Sequence, residues 1–293
     1  MCDICKNLKN TFTVTAVLGN SQSLDGGSMF GNAPKVVWEK WLPADTSNRV
    51  KLNCRCLLVQ TDQENILLET GIGNFFPPKL KKRFGVQEDS HVLLENLEKL
   101  GLAPTAIDKI ILSHLHFDHA GGMLSSYNED SQPSIVFPNA KTYTSSEAYQ
   151  RALEPHHRDR ASFIPELNKL LENRIQLIDT KTHPDFPGFE FYYSAGHTPG
   201  HLHTLISGEK HKLFFCGDLI PGTPWVHLPI TMGYDRFPEK LIDEKHHFLN
   251  KAHEDKWLLF YTHDPSFAVS SIEKKEHRYL FKQPEENLQK YSL

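Results

Sequence analysis

Apolar residues along this chain recur in short β-branched and aromatic runs separated by polar turns, more often than in long helical stripes. Runs near residues 11–20, 36–42, 52–60 and 64–69 predict strands, with Asp62-Gln63-Glu64 as the turn of a hairpin. Ile107-Asp108-Lys109-Ile110-Ile111-Leu112-Ser113 predicts a largely buried strand. Ser90 to Leu100 has helical spacing, with Ser90 as N-cap and Gly101 as stop. The second half repeats the theme: strands near 135–144, 174–179, 189–194, 202–207, 212–216 and 257–261, and helices over 145–153, 162–172 and 239–253. Strands in both halves with helices between them predict an α/β (α+β) chain. The expected architecture is one domain over 1–293 of two packed sheets with helices outside, a four-layered αββα sandwich. The Pro-rich stretches Phe76-Pro77-Pro78 and Ile220 to Pro229 are expected to be ordered loops.

Chemistry gathers where the predicted strands end. The strand at 107–113 runs into His114-Leu115-His116-Phe117-Asp118-His119, three histidines and an aspartate in six residues. Imidazole nitrogens and carboxylate oxygens are the donors that zinc-like metals take. Six residues are too few to close one comfortable tetrahedral site, so the spacing suggests two metals sharing the segment. His114 and His116 would face one, and Asp118 and His119 the other. Gly121 and Gly122 let the backbone turn just beyond. Further candidate ligands follow other strands: His197 after Phe189-Glu190-Phe191-Tyr192-Tyr193-Ser194, Asp218 after Leu213-Phe214-Phe215-Cys216, and His263 after Trp257-Leu258-Leu259-Phe260-Tyr261. Loops held by a stiff sheet are where a layered protein places its functional residues.

Taken together, these residues resemble the metallo-β-lactamase superfamily of metal hydrolases. The match runs in order through Glu69-Thr70-Gly71, His114-x-His116-x-Asp118-His119, His197, Asp218 and His263. Asp25-Gly26-Gly27-Ser28-Met29-Phe30-Gly31, Ser113 to Gly122 and Gly217-Asp218-Leu219-Ile220-Pro221 are most similar to the dinuclear N-acyl-homoserine-lactone (quorum-quenching) lactonases. The resemblance implies His114, His116 and His197 on one metal, Asp118, His119 and His263 on the other, and Asp218 bridging. It also implies two divalent cations, zinc first, with manganese, iron or cobalt as options for the same donors. Such a metal pair lowers the pKa of a shared water, and the resulting hydroxide opens an ester-like bond, here a lactone. Asp118 is the expected catalytic proton carrier. Two departures stand out. Glu69 replaces the aspartate of many relatives, and Pro221 stands where better-studied lactonases carry a tyrosine near the substrate carbonyl. His227 and Tyr234 are candidates to supply the missing donor, and Met29, Phe30, Trp225 and His227 to form the substrate pocket.

Composition narrows the alternatives. The 293 residues are 39% hydrophobic and 23% charged, enough for a sizeable core. No stretch approaches the ~20 apolar residues of a membrane span. A net charge of −4 argues against nucleic acid as partner, leaving a small molecule, with a homodimer open. Five cysteines and no basic-then-apolar leader point to a cytoplasmic chain. Cys2-x-x-Cys5 with Cys54-Arg55-Cys56 raises the option of a structural zinc, against which stands the plainer reading of buried free thiols at 54 and 56. A glyoxalase-II-like thioesterase or a phosphodiesterase on the same dinuclear site remains the alternative activity. A non-catalytic metal-bearing scaffold is the alternative class.

Overall fold

The structure is a computed structural model describing residues 11–293. The N-terminal part comprises β1 (Thr13–Leu18), β2 (Gln22–Asp25), α1 (Gly26–Phe30), α2 (Lys35–Trp38), β3 (Arg49–Leu52), β4 (Arg55–Gln60), β5 (Asn65–Leu68), α3 (Pro78–Phe84), α4 (Val92–Lys99), β6 (Lys109–Ile111), α5 (Phe117–Ala120), β7 (Lys141–Thr144), α6 (Ser146–Leu153), α7 (Pro165–Leu171) and β8 (Ile175–Leu177). The remainder comprises β9 (Phe189–Ser194), β10 (His201–Ser207), β11 (Lys212–Phe215), α8 (Pro238–Glu254), β12 (Leu258–Phe260), β13 (Val269–Lys275), β14 (Arg278–Glu285) and β15 (Tyr291–Ser292).

Two mixed sheets carry the fold, ordered β15-β1-β4-β5-β6-β7-β8 and β14-β13-β12-β11-β10-β9, with β2 and β3 paired separately. Alternation along the strands explains the layering. Val14, Leu57, Val59, Ile66 and Leu68 of the first sheet meet Phe189, Phe191, Leu202, Phe215 and Phe260 of the second in one buried cluster. The other face of the first sheet (Val17, Cys56, Leu58, Leu67) packs on α4, α6 and α7. Leu205, Phe214, Leu259 and Tyr261 of the second pack on Leu241, Phe248 and Leu249 of α8. Helix, sheet, sheet, helix is the predicted αββα order. Among the described residues no helix is long and apolar enough to cross a membrane.

Several local expectations change. Residues 36–42 form no strand: Pro34 presets the backbone for a helical turn, α2 follows, and Trp38 is buried while Val36 is exposed. The strand expected over 135–144 shrinks to β7. Helix α4 is not capped by Ser90: it starts after His91, and the Val92 N–H donates to the distant Asn20 Oδ1 at 3.1 Å. The Phe76-Pro77-Pro78 stretch opens a helix, since Pro78 takes the first position of α3, where a missing N–H costs nothing.

Candidate metal centre

Strand register builds the centre. In the first sheet β5 and β6 run parallel with Leu68 opposite Ile111, and in the second β11 and β12 run parallel with Phe215 opposite Phe260. His114, Asp218 and His263 each lie three residues beyond these last paired positions, so parallel pairing delivers each just past a strand's C-terminal end. His197 joins them from the turn between antiparallel β9 and β10. His116 is the N-cap of the short α5, which carries Asp118 and His119.

All seven expected ligands converge. Three groups have donor atoms within 4.8 Å of one another: His114, His116 and His197; His114, His119 and Asp218; and Asp118, His119 and His263. His116 Nδ1 lies 3.0 Å from His114 Nε2 and 3.3 Å from His197 Nε2. His263 Nε2 lies 3.2 Å from His119 Nε2. Asp218 stands between the groups. Its Oδ1 is 3.2 Å from His119 Nε2 and 3.1 Å from His263 Nε2, and its Oδ2 is 3.3 Å from His197 Nε2. Oδ1 nevertheless has no hydrogen-bond partner. Five imidazoles and two carboxylates that crowd together with a buried carboxylate oxygen left unpaired are a donor set whose chemistry suits zinc-like metals.

Crowding sets the electrostatics of the metal-free centre. Burial would raise the Asp218 carboxyl, but His119, His263 and His197 beside it hold it well below the usual carboxylate range. Burial would lower His119, His197 and His263, yet Asp218 above all raises each above its ordinary value. His114 and His116 are pushed well down, first by burial and then by neighbouring imidazoles. Burial pushes Glu69 up to about 7, opposed by His119 and the Ser113 bond. Glu69 Oε1 accepts from the Ser113 N–H at 2.8 Å, while Oε2 stops 3.6 Å from His119 Nδ1 and has no hydrogen-bond partner.

Three of the outward nitrogens are held as well, while His116 Nε2 is buried without a partner. His263 Nδ1 donates to the Asn53 carbonyl at 2.7 Å, and His197 Nδ1 faces Asp235 Oδ1 at 2.9 Å. Ser113 Oγ lies 2.9 Å from His114 Nδ1. Behind the centre the Asp218 N–H donates to His201 Nε2, and Ser194 Oγ links His201 and His203. Sequence reasoning missed Asp235, Asn53, His201 and Gln22, whose Nε2 donates to Asp118 Oδ2. None lies in a ligand-rich motif apart from His201, four residues after His197 in Gly196-His197-Thr198-Pro199-Gly200-His201.

The centre opens into a cleft of about 700 Å³ whose walls include Met29, Phe84, Phe117, Arg158, Met232 and Tyr234. Of the expected pocket residues Met29 lines it. Phe30 and Trp225 do not: they stack on each other at 4.7 Å inside the core packed against the second sheet. His227 sits on the surface beside Trp41. Apolarity in the 220–229 loop serves packing, with Asp264 Oδ2 accepting from the Thr223 N–H and hydroxyl to hold the loop down. Pro221 keeps a structural role, its carbonyl accepting from the His263 N–H at 2.8 Å. A second, mainly apolar chamber of about 570 Å³ shares Arg83, Phe84 and Ala161 with the cleft. Cys54 and Cys56 are buried free thiols in the helix-side core of the first sheet, while Cys2 and Cys5 lie outside the described residues.

Comparison with known proteins adds the family. The model of the metallo-beta-lactamase superfamily matches residues 49–281. The chain belongs to this superfamily. An N-acyl homoserine lactonase of Bacillus cereus is 28% identical over 179 residues, 57% of this chain and 63% of that protein. The matched stretch thus spans less than two thirds of that relative's length. A probable metal-dependent hydrolase from Staphylococcus aureus superposes with a TM-score of 0.83 at 26% identity, covering 94% of this chain and 99% of that one. AidC, described as a dizinc quorum-quenching lactonase in complex with a product N-hexanoyl-L-homoserine, superposes with a TM-score of 0.74 at 22% identity, covering 92% and 94%. At that identity the likeness bears on fold. The chain thus belongs to a metallo-hydrolase superfamily and carries candidate His and Asp metal groups.

Proposed function

We propose that this chain is a dinuclear metal-dependent hydrolase that opens lactones bearing an apolar acyl substituent, N-acyl homoserine lactones being the type. The observation that carries the reading is the placement of Asp218, whose two oxygens face different imidazole groups. His114, His116 and His197 would hold one cation, Asp118, His119 and His263 the other, and Asp218 both; zinc suits the donors. When bound, a pair of divalent cations supplies Lewis acidity that polarises an ester carbonyl and makes water acidic enough to act near neutral pH.

The chain's own residues do the rest. Water adds to the carbonyl carbon, the ring C–O bond breaks, and the leaving oxygen takes a proton. Asp118, which lines the cleft, would carry that proton. The apolar chamber beyond Phe84 offers room for an acyl chain, and the lactonase relative supports that substrate class. Tyr234 brings a phenol to the cleft where Pro221 has no donor to give.

The test is hydrolysis of acyl-homoserine lactones, simple γ-lactones, S-lactoylglutathione and an aryl phosphodiester by protein of measured metal content. About two metals per chain with fast lactone turnover is expected. His116→Ala and Asp218→Ala should lose metal and activity together, and full turnover in either would sink the dinuclear account. Turnover of the thioester or phosphodiester alone would keep the metal chemistry and discard the lactonase.

A further inference from the structure

We infer that Gln22 is a positioning residue for Asp118, its side-chain amide fixing the orientation of that carboxylate. The inference rests on the hydrolase reading above. Gln22 is fully buried, and its Nε2 donates to Asp118 Oδ2 at 2.9 Å across 96 residues of sequence. Among the described residues this is the only hydrogen bond the Asp118 side chain receives from another side chain. Gln22 Oε1 is itself buried without a hydrogen-bond partner. A buried amide with an unmet acceptor destabilises the fold, so neither packing nor its own hydrogen bonding explains a glutamine here. Its contact with Asp118 does.

The backbone that presents Gln22 is unusually well tied. Ser21 donates through its N–H and its hydroxyl to the two Glu88 oxygens at 2.8 and 2.6 Å. The Ser21 carbonyl accepts from the Gln87 N–H at 3.0 Å, and the Ser23 N–H donates to the Gly85 carbonyl at 2.9 Å. Gln22 itself pairs with Leu52 across β2 and β3. The amide therefore reaches the centre from a stiff base, as a group that must hold a fixed geometry requires.

Asp118 is the member of the cluster that needs such help. Its side chain is 14% exposed, whereas those of His119 and His263 are 1% and 2% exposed. His119 Nε2 stands 3.8 Å from its Oδ1 and His263 Nε2 3.6 Å from its Oδ2. Without a partner the carboxylate could rotate about its Cβ–Cγ bond at the cleft edge. With Oδ2 held by Gln22, one edge of the carboxylate stays turned to His119 and His263. The same group, the proton carrier of the hydrolase reading, would keep one orientation through the reaction.

The experiment compares the full chain with Gln22→Met, which keeps side-chain length and loses the donor, and Gln22→Glu, which keeps length and sets a carboxylate against Asp118. Melting temperature checks the fold of each. Chelator titration reads metal release, and kcat and KM are measured on esters whose leaving groups run from phenol to alkyl alcohol. In Gln22→Met one of two metals should leave at roughly 10- to 100-fold lower chelator concentration. KM should stay near the parent value while kcat falls, about tenfold further for alkyl than for aryl leaving groups, since poor leaving groups depend most on the proton. Gln22→Glu should be worse on both counts. Metal release and leaving-group dependence unchanged in Gln22→Met would overturn the inference. So would an equal fall of kcat across all leaving groups with metal release unchanged, which marks packing alone. The chelator arm reads Gln22 even in a chain that turns over none of these esters, so failure of the hydrolase reading is seen separately.

Discussion

At the scale of single residues, three imidazoles of the centre commit one nitrogen so that the other is free. His263 spends Nδ1 on the Asn53 carbonyl, His197 on Asp235, and His114 on Ser113. Asp235 is the sharpest case. It is fully buried, with Oδ1 on His197 and Oδ2 accepting from the Met232 N–H at 2.6 Å. In Asp235→Asn only one oxygen remains for two donors, and the His197 tautomer is no longer dictated. Metal affinity or activity should drop about 10- to 100-fold with the melting temperature of the metal-free chain little changed. Chelator competition followed by calorimetry checks both, and parent-like metal release would remove Asp235 from the centre. The thiol of Cys54 shows the reverse logic. It lies against His263, but burial pushes it up to about 11 in the metal-free chain, where it stays protonated.

Among the elements, α8 does more than cover the second sheet. Lys245 is buried on it, and its ammonium donates to the His227 and Ile230 carbonyls at 3.2 and 2.6 Å, tying the helix to the loop that precedes Met232 and Asp235. Burial drags Lys245 down to about 7 from 10.5, with Asp235 opposing. Below about 7 the folded chain carries the buried charge in full. As pH rises from there toward 10.5 the folded amine has lost its proton while the unfolded one keeps it, so stability rises. Each unit of difference corresponds to about 1.4 kcal/mol. Lys245→Met should flatten that rise, seen as urea midpoints at about pH 7 and about pH 9.5 in both proteins. Parallel slopes would contradict it. The element scale also shows what the sequence exposes and what it hides. Ile110 to Leu112 and Phe189 to Phe191 announce buried strands because both faces, or alternate positions, are apolar. The β2 strand, Gln22-Ser23-Leu24-Asp25, carries one large apolar residue, and β13 and β14 carry charges toward solvent, so neither pairing has a periodic signal. Val36-Val37-Trp38 misleads in the other direction, because β-branched content is overridden by Pro34 and by burial of Trp38 alone. The six-residue ligand run is legible since its donors are adjacent in sequence. Gln22 and Asp235 reach the centre only through folding, and nothing local marks them.

For the whole molecule, the centre places many like groups at the junction of two sheets, and their charges set how stability responds to pH. In the metal-free chain His119, His197 and His263 titrate above their ordinary value, because Asp218 outweighs burial. The stability they contribute is present below pH 6.5 and is lost as pH rises through their raised values. Asp218, held well below 3.8, contributes stability that is lost only in strong acid. Cations reverse the trend, since they require the imidazoles without protons and bind more tightly as pH rises. A ligand that binds only the folded state at a hundredfold above its Kd adds about 2.7 kcal/mol. The zinc-loaded chain should therefore exceed the chelator-treated chain by a margin that widens from about pH 6 to about pH 8. Urea unfolding of both forms at several pH values measures it. A margin that stays flat would mean that protons and cations do not compete for these imidazoles, and the seven converging donors would then need another purpose than holding metal.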